Sequence, residues 1–379
     1  MKALPKVSIS LFLALCACDS FAKIETISRI DGLFESAVSS ESVPGINVAV
    51  ANGYGVLWAK GYGFADLENN VEMTPQHKMR IGSVAKLFAT AAMMRLYDKQ
   101  MLSLDAPITK YVDSWPNSHA HITLRHLANH TSGIRHYRGE EFLSNQLYRN
   151  VDDSLGIFKH DPLLFKPGTK HSYSTYAWSL LSRGLEGADG KRNFEQLMNE
   201  EVFQPLNMKE SSFDHQYQII PNRQRPYEYK NGRLLNARQT DHSYKWAGGG
   251  FIASPSDVSR FAAAHSQEGF LSQKSLDEIF TPSKLNNGET LNFGIGWILN
   301  FDRYHSRPAY RNNGAKQLIA SFNDVALHSG GSMGGITMTI LCREHATAVT
   351  VVKNVSGERS ADVFYLALQT LAHFHQRHL

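Results

Sequence analysis

The sequence predicts an α/β (α+β) fold in which one antiparallel sheet, built from both ends of the chain, is flanked by helices. Strand patterns are concentrated near the two ends, whereas residues 106–286 carry mostly helical or loop patterns. If strands from both ends of the chain share one sheet, that sheet and the helices that cover it enclose one hydrophobic core. We therefore expect one domain over residues 23–379, with a mostly helical insertion at 106–286.

The N-terminal part of the domain predicts a helix followed by a β-hairpin. Residues 23–40 mix polar and apolar side chains, which favours a helix. Two β-rich runs follow, Ile46–Ala51 and Val56–Ala59, and Asn52 and Gly53 lie between them. An Asn-Gly pair between such runs is typical of a hairpin turn.

A long apolar helix is predicted after Ser83. Residues Val84–Leu96 contain no Gly or Pro, and apolar side chains fall on nearly every helical face, so we expect a buried helix. Ser83 is expected to cap this helix, with Lys86 on the same face. A hydroxyl beside an amine at a helix N-terminus is the arrangement of an activated nucleophile. The same spacing also fits a capped core helix whose lysine reaches water.

The middle of the chain predicts a helix at Phe194–Phe203, loops over residues 221–245 and a short helix capped by Ser254 or Ser256. Strand patterns return near the C-terminus, and residues 358–379 predict a terminal helix. The predicted C-terminal strands are residues 291–300, 324–328, 335–341 and 346–352.

Composition excludes some classes of partner. Hydrophobic residues make up 42% and charged residues 20% of the 379 residues, as in ordinary soluble globular proteins. The net charge of +4 comes from scattered Lys and Arg, so we expect no nucleic-acid partner.

The first 22 residues have the pattern of a signal peptide. Lys2 and Lys6 precede an apolar run at residues 7–17, which is too short to span a bilayer, and small residues lead up to Ala22. We expect cleavage after Ala22 and a periplasmic or secreted product. The alternative is a lipoprotein anchored through Cys18.

A second candidate cluster surrounds Tyr173. Hydroxyl-bearing residues at 172–176 follow a Pro-Gly turn at residues 167–168, so we expect a loop that presents Tyr173 to a cleft. A tyrosine acts as a general base when nearby cations lower its pKa, and Lys86 is one candidate cation. The alternative is a surface loop with a half-buried tyrosine.

A third cluster, His328–Gly335, holds four glycines in eight residues. Such a segment allows close backbone approach or a bend, and its N–H groups can hold a developing oxyanion. The alternative is a glycine-rich β-turn.

Together the three segments Ser83–Lys86, Tyr173–Thr175 and His328–Gly330 resemble the ordered motifs of the serine β-lactamase and penicillin-binding D,D-peptidase clan. They are most similar to the class C branch, whose motifs read Ser-x-x-Lys, Tyr-x-Asn and Lys- or His-x-Gly. Ile134–Tyr137 and the Tyr-Ser-Thr triplet are also similar to the mitochondrial serine β-lactamase-like proteins. Further matching segments are His126–Ile134, Pro205–Met208 and Ala247–Gly250.

The resemblance runs from about residue 30 to 370 and implies a β-lactamase/transpeptidase-like fold with a catalytic serine. It implies that Ser83 is acylated, that Lys86 helps to deprotonate it, and that Tyr173 is a general base or proton shuttle. Which of Lys86 and Tyr173 takes the proton stays open.

The resemblance also assigns the remaining site residues. The N–H groups of Gly331 and Ser83 would form the oxyanion hole, and His328 would lie near the substrate carboxylate or Tyr173. The residues expected to bind substrate are Thr175, Ser329, Gly330 and Gly331.

Two departures from the class C pattern bear on the substrate. Thr175 stands where Asn is usual, and a hydroxyl lacks the second donor and the carbonyl of an amide. His328 stands where class C enzymes carry lysine, and neutral imidazole binds a carboxylate less strongly. These departures argue against an efficient β-lactamase and are compatible with a peptidase or esterase.

We therefore expect an exported serine hydrolase that forms an acyl-enzyme on Ser83 and acts on D-amino-acid peptides, β-lactams or small esters. We expect no cofactor and no metal, because His126 and His130 have no acidic residue between them and belong to the family-like segment. The alternative is a non-catalytic binding or self-assembling protein that retains the β-lactamase fold. The oligomeric state stays open.

Overall fold

The computed structural model of the protein describes residues 27–39, 43–302, 313–357 and 361–375. The predicted signal peptide and Cys18 lie outside the described residues. The helices are α1 (27–39), α2 (Ala85–Asp98), α3 (Leu124–Ala128), α4 (Val151–Leu155), α5 (Tyr176–Asp189), α6 (Phe194–Met198), α7 (Trp246–Gly249), α8 (Pro255–Ala263), α9 (Gln273–Phe280), α10 (Asn313–Ala320) and α11 (Val363–His375). The strands are β1 (Gly45–Asn52), β2 (Gly55–Asp66), β3 (Val71–Glu72), β4 (Met79–Arg80), β5 (Ser211–Phe213), β6 (Tyr227–Lys230), β7 (Arg233–Asn236), β8 (Phe251–Ala253), β9 (Val325–Ser332), β10 (Gly335–Cys342), β11 (Thr347–Lys353) and β12 (Val355–Gly357).

The main sheet has six antiparallel strands in the order β3-β2-β1-β11-β10-β9. β1 from the N-terminal part pairs directly with β11 from the C-terminal part, with Val48 opposite Val351. This pairing of the two chain ends confirms the predicted fold class. Two small three-stranded sheets, β12-β6-β7 and β4-β8-β5, lie beside it.

Apolar side chains on both faces of the main sheet join it to helices. On one face α1 and α11 pack through side chains such as Phe34 and Phe364, which are fully buried. On the other face α8 packs against β1 and β11, and the Ser259 hydroxyl donates to the carbonyl of Ala49 at 2.9 Å. The predicted helix after Ser83 forms as α2, and its residues from Ala85 to Met94 are all buried, as expected.

Two predicted elements differ from the structure. Residues 291–300 form no regular strand, because Gly296 has φ +77° and turns the chain, so that only Ile298 bridges to Leu327 of β9. Residues 221–245 were expected to be loops, but they contain the β6–β7 hairpin. Asn231 and Gly232, at φ +53° and +74°, form its turn, and this Asn-Gly pair was a signal present in the sequence.

The glycine-rich third cluster also has a definite form. Residues Ser329–Ser332 belong to β9, and the turn to β10 lies at Met333 and Gly334. The segment is therefore mostly an edge of the sheet, and its bend is confined to two residues.

A glycine in α5 tests how closely the helical region is packed. A Cβ added at Gly187 would lie 1.7 Å from the carbonyl oxygen of Tyr111, so Gly187→Ala forces backbone apart. We expect this substitution to lower the free energy of unfolding by about 1–3 kcal/mol, measured by urea denaturation. The control is Gly32→Ala in α1, where nothing lies within 4 Å of the added Cβ. The control should raise the free energy of unfolding by up to about 1 kcal/mol, and similar effects of the two substitutions would contradict the close packing.

Candidate active site

Ser83 lies in a single 3₁₀ turn, Gly82–Val84, that leads directly into α2. The expectation that Ser83 caps α2 is wrong, because the N-cap position is Val84 and no side chain caps the helix. The backbone N–H groups at this end already donate to carbonyls of the turn, that of Val84 to Ile81 and that of Ala85 to Gly82 and Ser83. The Ser83 hydroxyl therefore has other partners.

Lys86 is the hydrogen-bonding partner of Ser83. Its Nζ donates to the Ser83 Oγ at 3.1 Å, to the Gly248 carbonyl at 2.5 Å and to the Thr175 Oγ1 at 3.4 Å. The side chain has no exposed surface. A buried amine needs such oxygen partners, since an unpaired one would cost free energy on folding. The predicted contact between Ser83 and Lys86 is present.

The Gly248 carbonyl reaches the amine because α7 packs very closely on Thr175. A Cβ added at Gly248 would lie 2.3 Å from the Thr175 Cγ2. α7 is itself positioned by the pairing of β4 with β8, which flank the Ser83 turn and α7 respectively. The glycines at residues 248–250 thus bring a main-chain acceptor to Lys86.

Tyr173 lies half-buried in a loop beside the same amine. The Lys86 Nζ lies 5.0 Å from the centroid of the Tyr173 ring. That ring stacks on His130, with centroids 4.2 Å apart, and meets His136 edge-on at 5.7 Å. The loop therefore presents its phenol next to Lys86, as the sequence predicts.

Two histidines hold the Tyr173 loop by accepting its backbone N–H groups. The N–H of Ser174 donates to the Nδ1 of His130 at 3.2 Å, and that of Thr175 donates to the Nδ1 of His136 at 3.1 Å. The Ser174 hydroxyl donates to the Arg135 carbonyl at 2.7 Å. The segment 130–136 thus fixes the position of the phenol. The sequence shows this segment as similar to a family motif, but no local pattern in it predicts the contacts with the Tyr173 loop.

Arg135 anchors this histidine-containing segment. Its buried guanidinium pairs with Glu141 at 2.7 Å and with Asp161, and donates to the Ile157 carbonyl at 3.2 Å. It also lies over the ring of Tyr176, 5.1 Å from the centroid. A planar guanidinium with several partners gives the segment a fixed orientation.

β9 runs directly against the Ser83 turn. A Cβ added at Gly330 would lie 1.9 Å from the Ile81 carbonyl oxygen and 3.1 Å from the Ser83 nitrogen. A Cβ added at Gly82 would lie 2.6 Å from the Gly331 nitrogen. The main chains of Ser83 and Gly331 are therefore neighbours, which is the placement that a two-donor oxyanion hole requires.

His328 and Ser329 occupy the same strand. The His328 ring is buried, and its Nδ1 donates to the Ser329 carbonyl at 2.6 Å. Ser329 is half-buried, whereas Gly331 is exposed at the strand edge. The ring of His328 thus supports β9 next to the glycines.

Thr175 is placed differently from a typical substrate-binding side chain. It is 2% exposed, and its hydroxyl accepts a hydrogen bond from Lys86. In this position Thr175 supports the amine, and contact with substrate stays a prediction.

A cavity of about 460 Å³ opens beside Tyr173. Its lining residues are His171, Ser172, Tyr173, Asn292, Phe293 and Asp302. Of the proposed reacting groups, Tyr173 lines this space, whereas Ser83 and Lys86 do not.

The two histidines considered as metal ligands have other partners. His126 accepts the backbone N–H of Thr123 at 3.3 Å and caps α3, and His130 accepts that of Ser174. Within the described ranges, no group of three or more His, Cys, Asp and Glu side chains is placed to hold a metal ion. Nor does any described helix have the length and apolar character needed to cross a membrane.

Comparison with known proteins identifies the class of protein to which this fold and site belong. The family model described as "Beta-lactamase" matches residues 30–372, so the chain belongs to the β-lactamase family, a serine hydrolase family that includes relatives of penicillin-binding proteins.

Among individual proteins, the chain is similar to the human mitochondrial serine beta-lactamase-like protein LACTB, with 26% identity over 400 residues, covering 82% of this chain and 71% of the human protein. The match to the mouse protein is 29% identical and covers 58% of this chain and 54% of the mouse protein. Penicillin-binding protein 4* of Bacillus subtilis is 26% identical, over 86% of this chain and 71% of its own length.

A solved structure confirms the fold. The D-amino acid amidase from Ochrobactrum anthropi SV3, complexed with D-phenylalanine, superposes with a TM-score of 0.76 at 19% identity, covering 93% of this chain and 99% of the amidase. The predicted β-lactamase/transpeptidase-like fold is therefore correct.

Lys245 is a second buried lysine behind the site. Its Nζ lies over the rings of Phe142, Tyr244 and Tyr137, at 4.5, 5.1 and 5.7 Å from their centroids. Burial, followed by the nearby Arg80 guanidinium, lowers the pKa of Lys245 from 10.5 to about 7. Sequence reasoning gave this lysine no role.

The lowered pKa of Lys245 predicts a pH dependence of stability. Between pH 7 and 10.5 the unfolded chain holds a proton that the folded amine has lost, so the free energy of unfolding rises with pH in this window. The slope from this group is at most about 1.4 kcal/mol per pH unit, and the contribution is lowest and flat below pH 7.

Lys245→Met removes this titration. We expect the free energy of unfolding of the wild type, minus that of Lys245→Met, to increase between about pH 7.5 and about pH 9.5 in urea denaturation. The matched control is Lys209→Met, which replaces an exposed amine by the same side chain. A pH-independent difference for Lys245→Met would contradict the lowered pKa.

Proposed function

We propose that the protein is an exported serine hydrolase that forms an acyl-enzyme on Ser83. The observation that carries this proposal is the buried Lys86 amine, which lies 3.1 Å from the Ser83 hydroxyl and 5.0 Å from the centroid of the Tyr173 ring. A buried amine in hydrogen-bond contact with a serine hydroxyl can accept its proton and activate it as a nucleophile. Membership of the β-lactamase family supports the same reaction.

Acylation begins when the Ser83 Oγ adds to the substrate carbonyl carbon. The hydroxyl proton passes to Lys86 or Tyr173, and the choice between them stays open. The resulting oxyanion is held by the backbone N–H groups of Ser83 and Gly331. The bond to the leaving nitrogen or oxygen then breaks, and the leaving group takes up the proton.

Deacylation repeats these steps with water. Water adds to the acyl carbon, gives a proton to the same base, and the Ser83 oxygen leaves and regains a proton. Product acid departs, and the hydroxyl and amine return to their starting states. Apart from substrate and water, every group in this proposed cycle belongs to the chain.

The substrates we propose are D-amino-acid peptides or amides, small esters and, less efficiently, β-lactams. The amidase of similar fold is described with D-phenylalanine, and a Bacillus subtilis relative is named a penicillin-binding protein. Thr175 and His328 replace the Asn and Lys of the class C pattern, which disfavours efficient β-lactam hydrolysis. Ser329 and Gly330, at the edge of β9, would contact the bound substrate.

Ser83→Ala tests the nucleophile. We expect turnover of D-amino-acid amides and p-nitrophenyl esters to fall by at least ~10²-fold, since the covalent step is lost. A fluorescent penicillin should label the wild type, and mass spectrometry should map the label to the peptide that contains Ser83. The control is Ser321→Ala, an exposed serine in which labelling and turnover should be unchanged.

The same experiment distinguishes the proposed hydrolase from the alternative, a non-catalytic protein. Wild-type protein that no acylating probe labels and that hydrolyses none of these substrates would overturn the proposed reaction. It would favour a non-catalytic binding or self-assembling protein, and light scattering would then reveal any assembly.

Export is tested by the mature N-terminus. After expression in a bacterial host, we expect an intact mass that begins at Lys23, because Ala22 ends the pattern read by signal peptidase. Cys18→Ser should leave that mass unchanged. A lipid-modified mass lost in Cys18→Ser would show the lipoprotein form, and retention of residues 1–22 would contradict export.

A further inference from the structure

In the class C motif Tyr-x-Asn, the Asn side chain offers an amide N–H donor to the acyl part of the substrate. This chain has no amide at that position. Thr175 stands at that position, and its hydroxyl faces inward to Lys86. Its methyl group packs on Gly248, where an added Cβ would lie 2.3 Å away. Because the hydroxyl and the methyl group both face inward, Thr175 does not offer a hydrogen-bond donor to a bound substrate.

His136 lies next to Thr175 and is half-buried. Its Nδ1 accepts the Thr175 N–H at 3.1 Å, which places the proton of the neutral ring on Nε2. The Nε2 makes no hydrogen bond to any residue that the structure describes. The ring stands nearly perpendicular to Tyr173, at 87°, with centroids 5.7 Å apart.

The ring of His136 is kept neutral by its surroundings. Burial, followed by the positive charges of Lys86 and Lys245, lowers its pKa to about 4. The Nε2–H tautomer is therefore retained at neutral pH. A neutral N–H donor beside the catalytic groups can donate to an uncharged oxygen acceptor, such as an amide carbonyl.

We propose that His136 is a substrate-positioning residue whose Nε2–H donates to the carbonyl oxygen of an amide on the acyl side of the substrate. The inference rests on the proposed function and narrows its substrate class. Acyl groups that carry an amide next to the reacting carbonyl, as in N-acylated amino-acid derivatives, are favoured over plain alkyl or aryl-alkyl acyl groups. His136 would thus supply the hydrogen-bond donor that the Asn of the class C motif supplies from the position of Thr175.

Two substitutions separate this role from support of the loop. His136→Asn keeps an oxygen where Nδ1 accepts the Thr175 N–H, but it removes the donor at the Nε2 position. His136→Gln places an amide N–H₂ close to the Nε2 position and keeps a donor. Thermal unfolding of both variants checks that the fold is intact.

The substrates are a matched pair of p-nitrophenyl esters, of phenylacetylglycine and of 5-phenylpentanoic acid. The two acyl chains have the same length, and only the first carries an amide. We expect His136→Asn to lower kcat/KM for the phenylacetylglycyl ester about tenfold more than for the phenylpentanoyl ester, mainly through KM. His136→Gln should recover most of the loss.

Each other outcome overturns the inference in a distinct way. Equal losses on both esters in His136→Asn would show that His136 only supports the loop, and unchanged kcat/KM on both would show that it does not contact substrate. In both cases the wild type still hydrolyses the esters, so the proposed function stands. Wild-type protein that hydrolyses neither ester and shows no label at Ser83 would instead overturn the proposed function together with this inference.

Discussion

The burial of the Lys86 amine against three oxygens is the interaction on which the site depends. Removing such a group from water is unfavourable unless oxygen atoms replace its hydration. Here the oxygens come from three distant parts of the chain, the turn at Ser83, the loop at Thr175 and helix α7 at Gly248. The amine therefore does more than assist a hydroxyl, because its solvation requires these three segments to meet. The same oxygen contacts therefore allow the amine to be buried and hold it next to the Ser83 hydroxyl.

The position of the phenol has a separate origin. Tyr173 is on an irregular loop, and its backbone N–H groups find acceptors in His130 and His136 instead of in a helix or sheet. Arg135, next to His136 in the chain, donates to the His136 carbonyl at 3.0 Å, and its charge is balanced by Glu141 and Asp161. An ion-paired guanidinium thus helps to position the segment whose imidazoles hold the tyrosine loop. Polar contacts of this kind position groups that apolar packing alone would leave less defined.

Local features of the site were predictable from sequence, whereas contacts made across the fold were not. The spacing of Ser83 and Lys86 places both on one helical face, so their contact followed from helix geometry. The pairing of the chain ends followed from strand patterns at Ile46–Ala51 and Val349–Val352. The inward direction of Thr175 depends on Gly248, 73 positions further along the chain, and no local pattern reports it. Likewise, the sequence at Gly330 and Gly331 is compatible with a turn and with a strand at the sheet edge. Only the fold shows that the Ser83 turn packs against them. The hairpin at Tyr227–Asn236 is a different case, because the sequence does contain its Asn-Gly turn signal. The polar composition around that pair favoured the prediction of a loop.

The contacts of Gly82, Gly248 and Gly330 have a consequence for how this protein can diversify. At Gly82 and Gly330 the nearest atoms belong to the main chain of another segment, and at Gly248 the nearest atom is the Thr175 methyl carbon. Between the Ser83 turn and β9 the dimensions of the reaction centre are thus set by peptide units, which every sequence shares. A side chain beside the site, such as His136, can then change identity over evolution, and with it the preferred acyl group, while the spacing of the Ser83 and Gly331 main chains is inherited intact.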